Sequence, residues 1–204
     1  MRIAIYGGTG NIGSQVVAEA VRRRHQVTAL ARHDKPVAEG ATFVIGDAAD
    51  PDTTRTVAAA NDVVVSALGP TGDPDSDPDA FADLIGALAE AVGSTRLIVV
   101  GGAGSLQVAP GVRLVDTPEF PQAYRAGALA TAQALALLRA ADPDLDWTYL
   151  SPPPEIGPGE RTGKYRVALD EPAGAYITIP DYAVALVDEI ENPQHRRQRF
   201  TVAN

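Results

Sequence analysis

The sequence predicts an α/β protein built on a doubly wound, mainly parallel sheet with helices on both faces. Three observations lead there. Short apolar runs recur at residues 3–6, 27–30, 43–45, 63–65, 97–100, 147–150 and 200–202. These runs are continuous rather than alternating, the pattern of strands covered on both faces. Helix-period segments separate them, and repeated strand–helix–strand order implies right-handed crossovers in one parallel sheet.

The elements follow in order. After the first run and a glycine-rich turn, Ile12, Val16, Val17, Ala20 and Val21 share a helix face, and arginines 22–24 put positive charge at its end. A second helix is expected to open at Pro51. The third carries Phe81, Leu84, Ile85, Leu88 and Val92, with Asp77 as cap and Pro78 in the first turn. The fourth presents Leu129, Ala132, Leu135, Ala136 and Leu138. The last presents Ala183, Leu186, Val187 and Ile190, starting near Pro180 and stopped by Asn192-Pro193. Three segments, 69–78, 101–122 and 152–175, lack a regular pattern. Each follows a predicted strand, so each starts at the carboxyl edge of the sheet, where open α/β folds bind ligands. No linker separates two cores, and residues 1–204 read as one domain with three substrate loops.

Composition narrows the function classes. The net charge is −9, from 17 basic and 26 acidic residues. That balance argues against general affinity for nucleic acid or an anionic membrane, both of which need a positive face. Cysteine is absent, which removes disulfides, thiolate nucleophiles and Cys-ligated metals. The histidines, His25, His33 and His195, lie far apart without metal-ligand spacing, so no metal is expected. No apolar run has the length of a signal peptide or a membrane span. A cytoplasmic protein acting on a small molecule, as a monomer or homodimer, is the expectation.

The glycine turn carries the chemistry. Gly7-Gly8-Thr9-Gly10-Asn11-Ile12-Gly13 directly follows the first strand and opens the first helix. It satisfies G-x-G-x-x-G through Gly8, Gly10 and Gly13, and G-x-x-G-x-x-G through Gly7, Gly10 and Gly13. Such glycines permit the tight turn, admit a pyrophosphate against the backbone and let helix and strand pack closely. Amides at the helix start then face phosphate oxygens. Strand, turn and helix together give a Rossmann-like dinucleotide-binding domain; no Gly-Lys-Ser/Thr follows, so the turn is not a P-loop. A site for NAD usually places an acidic residue at the end of the second strand. Here that strand ends in Ala31-Arg32-His33, and Arg32 suits a 2′-phosphate, which favours NADP over NAD. Asp34, two residues on, is its rival. Asp47 is placed to accept from the adenine amino group, while an Asp in the same loop, Asp47 or Asp50, is placed to cap the helix at Pro51.

The glycine turn, residues 46–48 (GDA), 99–106 (VVGGAGSL), 114–121 (LVDTPEFP), 146–152 (DWTYLSP), 159–165 (GERTGKY) and 181–185 (DYAVA) together resemble a family. It is the NADH-flavin reductase-like group of atypical short-chain dehydrogenase/reductases, relatives of NmrA-like and biliverdin reductase B-like proteins. The resemblance spans nearly the whole chain. It implies that the cofactor touches Thr9, Gly10, Asn11, Ile12, Arg32, Asp47 and Ala48, then passes Leu68, Gly69 and Pro70 to Ser105 and the turn Ser151-Pro152-Pro153. A flavin substrate would stack over the nicotinamide. Ser105 stands where short-chain dehydrogenases place a substrate-facing serine, and Tyr124 is the second catalytic candidate. Arg161, Lys164 and Tyr165 read as partly solvated residues of a lid that would attract an anionic group.

One departure matters. Short-chain dehydrogenases use Tyr-x-x-x-Lys as proton donor and helper, but Tyr124 is followed at that spacing by Ala128, and no other tyrosine has a lysine there. Carbonyl reduction needs a proton as hydride arrives. A flavin takes the charge into its conjugated rings, so a planar acceptor fits better than a ketone. The leading reading is an NAD(P)H-dependent reductase of a flavin or similar acceptor. The alternatives are a non-catalytic NmrA-like dinucleotide sensor and an isomerase or cyclase on the same scaffold.

Overall fold

The computed structural model describes residues 1–70 and 78–204. In chain order the elements are β1 (Arg2–Tyr6), α1 (Asn11–Arg22), β2 (Gln26–Ala31), β3 (Thr42–Ile45), α2 (Pro51–Ala60), β4 (Val63–Ser66), α3 (Pro78–Ala91) and β5 (Arg96–Val100). Then come β6 (Gln107–Ala109), β7 (Val112–Arg113), a 3₁₀ turn (Leu114–Asp116), α4 (Gln122–Ala140), β8 (Trp147–Ser151), β9 (Glu155–Gly157), β10 (Arg166–Ala168), β11 (Tyr176–Thr178), α5 (Ile179–Glu191) and β12 (Gln198–Ala203).

Eight strands form one sheet in the order β10-β12-β8-β5-β4-β1-β2-β3. All neighbours run parallel except β10, which pairs antiparallel with β12. The fold is therefore α/β, doubly wound and mainly parallel, and each of the seven predicted apolar runs lies within a parallel strand.

Strand alternation divides the core in two. Ile3, Ile5, Val63, Val65 and Ile98 point to the side of α1 and α5, where they meet Val16, Val17, Leu186 and Val187. Ala4, Tyr6, Val64, Leu97 and Val99 point to the other side, covered by Ile85 and Leu88 of α3 and Leu135 and Leu138 of α4. Burying both faces is why the central strands read as unbroken hydrophobic runs. The edge strand β3 departs from that expectation: Val44 and Ile45 are exposed at this margin of the sheet.

Local chemistry sets the helix starts. Asp50 caps α2, its Oδ1 accepting from the Asp52 amide at 3.0 Å, with Pro51 in the first turn. Thr178 caps α5 through its Oγ1 and the Asp181 amide, again ahead of a proline. The expected Asp77 cap of α3 and most of the 69–78 loop lie outside the described residues. Helix α4 begins at Gln122, and its buried face is Ala130, Thr131, Ala134, Leu135 and Leu138 rather than the face through Leu129, Ala132 and Ala136. Eight alanines leave that helix with small apolar residues all round, so leucine spacing alone misplaced the phase. The segments expected to be irregular also carry short pairings, β6 with β7 and β9 with β11. Among the described residues no helix is long and apolar enough to cross a membrane.

Strand order reverses between β4 and β1, so the turns leaving these two strands flank a crevice at the carboxyl edge. Both sit next to the candidate site.

Candidate functional site

The first turn is built by close contact. Gly7 has φ +73°, and a Cβ there would come within 2.6 Å of the Ala67 carbonyl oxygen. At Gly13 a Cβ would fall 2.1 Å from the Gly7 carbonyl oxygen, so helix α1 approaches the turn as only glycine allows. The Gly7 amide donates to the Leu30 carbonyl and the Gly10 amide to that of Gly7. Gly10 caps α1 without a side chain. The amides of Asn11, Ile12 and Gly13 have no partner among the described residues. A helix start with free amides and the positive end of its dipole is an anion site.

Beside the turn lies a cavity of about 410 Å³. Its wall includes Gly7, Thr9, Arg32, Asp47, Ala48, Leu68, Gly69 and Pro70, eight of the predicted cofactor residues. Asp47 is held by its Oδ1, which accepts from the Ala49 amide at 3.0 Å, and leaves helix capping to Asp50. Arg32 is exposed and has no ion-pair partner among the described residues. His33 and Lys35 share the wall with Arg32, two residues that sequence reasoning did not single out; Asp34, the rival, does not line it. The rim therefore carries clustered donors for an anionic group.

A second cavity, about 770 Å³, adjoins the first at Pro70, which lines both. One wall is Pro152, Pro153 and Pro154 beyond β8. The opposite wall is the start of α4 with Tyr124, Gly127 and Thr131. Leu114 and Phe120 add apolar surface, and Glu119 and Glu155 also line the space. Glu119, Phe120 and Glu155 lie in the expected substrate loops but were not singled out there, and the sequence offered no signal for Thr131, because each depends on how loops fold back over the sheet edge.

The remaining predicted residues are distributed unequally. Gly10, Asn11, Ile12 and Gly13 form the anion site at the helix start. Tyr124 stands at the second cavity, 71% exposed. Ser105 does not line either cavity: its Oγ accepts from Nη1 of the buried Arg199 at 3.3 Å, a guanidinium that also pairs with the half-exposed Asp170. Ser151 is sealed under the proline wall, fully buried and outside both linings. The expected lid is fastened elsewhere. Arg161 pairs with Glu19 of α1, Tyr165 donates to Asp188 of α5 at 2.5 Å, and Asp181 accepts from the amides of Thr162 and Gly163. Arg161 and Tyr165, expected to attract an anion, instead satisfy carboxylates of the scaffold, while Lys164 is exposed and pairs with no carboxylate among the described residues.

Two buried tyrosines support the second cavity from below. Tyr149 donates to the Thr131 carbonyl at 2.7 Å and accepts from the Gly102 amide, and burial pushes its hydroxyl up to about 12. Tyr182 donates to the Leu150 carbonyl at 2.6 Å and is likewise raised by burial. Both hold backbone in place rather than exchange protons.

This geometry fits a nicotinamide dinucleotide: an anion site at the turn, a cavity for the adenosine half and a contiguous cavity beyond it. Comparison with known proteins agrees. Over its whole length the chain is 38% identical to the uncharacterized protein YwnB of Bacillus subtilis, covering 99% of that protein. A solved structure from Burkholderia pseudomallei, described as a "putative exported protein", is 42% identical with a TM-score of 0.88, and each chain is covered fully. Another, described as "a putative NADH-flavin reductase" from Streptococcus pneumoniae, is 34% identical with a TM-score of 0.90, covering 100% of this chain and 99% of the other. Residues 7–193 match the family model described as NAD(P)H-binding, and the chain belongs to that NAD(P)H-binding family.

Proposed function

We propose that the protein is an NAD(P)H-dependent oxidoreductase that reduces a flavin or similar planar acceptor, with NADPH as the preferred donor. The observation that carries this reading is the contiguity of the two cavities through Pro70. One suits a dinucleotide's adenosine end, the other a flat apolar molecule beyond it. The S. pneumoniae structure described as "a putative NADH-flavin reductase" supports the same assignment.

When bound, the dinucleotide would supply a hydride and be left oxidised; with one proton from water, a conjugated acceptor would become its dihydro form. The chain's own residues bind and orient. The amides of Asn11, Ile12 and Gly13 hold the pyrophosphate, and Arg32 with Lys35 favours a 2′-phosphate. The proline wall and the face of α4 confine the acceptor's rings to the second cavity, and stacking geometry does most of the work. No Tyr/Lys dyad is needed, because the acceptor delocalises the incoming charge.

The test follows loss of nicotinamide absorbance when purified protein meets NADPH or NADH and a panel of flavins and quinones. Turnover with a planar acceptor is expected. Tight dinucleotide binding with no turnover on any acceptor would favour a dinucleotide-sensing regulator instead.

A further inference from the structure

The second cavity has an unusual charge pattern. Glu119 and Glu155 line it, and neither carboxylate has a hydrogen-bond or ion-pair partner among the described residues. No lysine, arginine or histidine joins them in the wall among those residues. The bases nearest in sequence are engaged elsewhere. Arg125 Nη1 donates to the Val115 carbonyl at 2.5 Å, Arg113 pairs with Asp116, and Arg161 is bound to Glu19. The first cavity is net positive among the described residues, with Arg32 and Lys35 against the single carboxylate of Asp47, and His33 beside them in its wall.

Two adjoining compartments of opposite sign sort their ligands. An anionic group placed in the second would meet two unpaired carboxylates and find no cation to compensate its lost hydration. We infer that the second cavity selects uncharged planar acceptors, such as quinones or unphosphorylated flavins, and discriminates through Glu119 and Glu155 against acceptors that carry phosphate or carboxylate. The inference rests on reading that cavity as the acceptor site. It assigns a specificity role to the two glutamates and needs no chemistry from them.

Riboflavin and flavin mononucleotide make a clean pair, because they share every ring atom and differ by one phosphate. Each is titrated with dinucleotide-loaded protein, and binding is read from quenching of flavin fluorescence, separately from turnover. Riboflavin is expected to bind roughly five-fold tighter or more at low salt, about the size of a single like-charge contact in water. The gap should narrow at high ionic strength, where such repulsion is screened. Glu119→Lys and Glu155→Lys should each move the ratio towards flavin mononucleotide. Equal affinity at low salt, or failure to bind either flavin, overturns the inference. Turnover of both flavins with equal affinity would overturn it while leaving the reductase reading intact. Riboflavin-selective binding without turnover would uphold the selectivity and remove the reductase.

Discussion

Arg161 and Glu19, 142 residues apart in sequence, meet in a two-pronged ion pair, with Nε donating to Oε2 at 2.8 Å and Nη2 to Oε1 at 3.0 Å. Glu19 lies on α1, the helix whose start forms the anion site, and it is 5% exposed. Arg22 and Arg23 donate to the same carboxylate. The chain that follows the proline wall of the second cavity is thus tied to the helix whose start carries the unpaired amides.

Glu19→Ala should destabilise the protein by about 1–2 kcal/mol in urea unfolding, since the largely buried Arg23 would lose one charge-assisted bond while keeping Asp188 and Glu191. Arg161→Ala should lose under about 1 kcal/mol, because that guanidinium is 39% exposed and screened. Equal losses would mean that the loop, not the helix, depends on the pair.

Burial alone would raise the Glu19 carboxyl, but the guanidinium groups of Arg161, Arg22 and Arg23 outweigh it and hold the group well below the usual carboxylate range. A folded-state value below the unfolded one, about 4.3, means the stabilisation is complete above the unfolded value. It is lost as pH falls from there towards the folded value. Glu19→Gln should flatten the acid side of a stability–pH profile below about pH 5, with little change in its slope near neutrality.

Arg32→Ala should weaken NADPH roughly ten-fold or more, the worth of one charge-assisted hydrogen bond, and leave NADH nearly unchanged. Titration with each dinucleotide checks this. Parallel losses for both would show that Arg32 does not read the 2′-phosphate.

Gly13→Ala places a methyl group 2.1 Å from the Gly7 carbonyl oxygen, a backbone atom that cannot swing aside. Either α1 retreats or the turn opens. Dinucleotide binding should fall below detection while circular dichroism keeps its helical content. Near-normal binding would show that the turn and α1 separate without disturbing the phosphate amides.

Ser105→Ala and Tyr124→Phe should each change turnover by less than about five-fold, if water supplies the proton and neither hydroxyl is an obligatory acid. A hundred-fold drop in kcat for Tyr124→Phe, with unchanged acceptor affinity, would restore it as a proton donor.

Much of this was legible in the sequence, for physical reasons. Strands buried on both faces must be apolar throughout, so Ile3, Val63 and Ile98 announced the sheet. The turn at Gly7 and Gly13 was legible because no other residue type fits there. The first cavity follows from residues that trail directly off β1, β2, β3 and β4, so Arg32, Asp47 and Leu68 fell near their expected places. The second cavity was less legible. Its glutamates and Thr131 come from segments whose packing is decided by distant partners such as Tyr149. Ser105 was misread for the same reason: its place after β5 suggests the acceptor, but the buried guanidinium of Arg199 draws its hydroxyl away. Arg161 and Tyr165 looked free in sequence because their carboxylate partners, Glu19 and Asp188, lie on other elements.

Pro152, Pro153 and Pro154 are three successive residues without an amide proton, and their rings fix the backbone before any ligand arrives. That wall offers carbonyls and ring carbons but no main-chain donor, so it grips by shape alone. It also has little freedom to surrender when a molecule settles against it, which keeps the ordering penalty low. A guest rotated within its own plane meets nearly the same surface. If the proposed function holds, differently substituted uncharged rings should therefore be accommodated at similar depth, and breadth of acceptor range would be a property of this stiff stretch of the pocket.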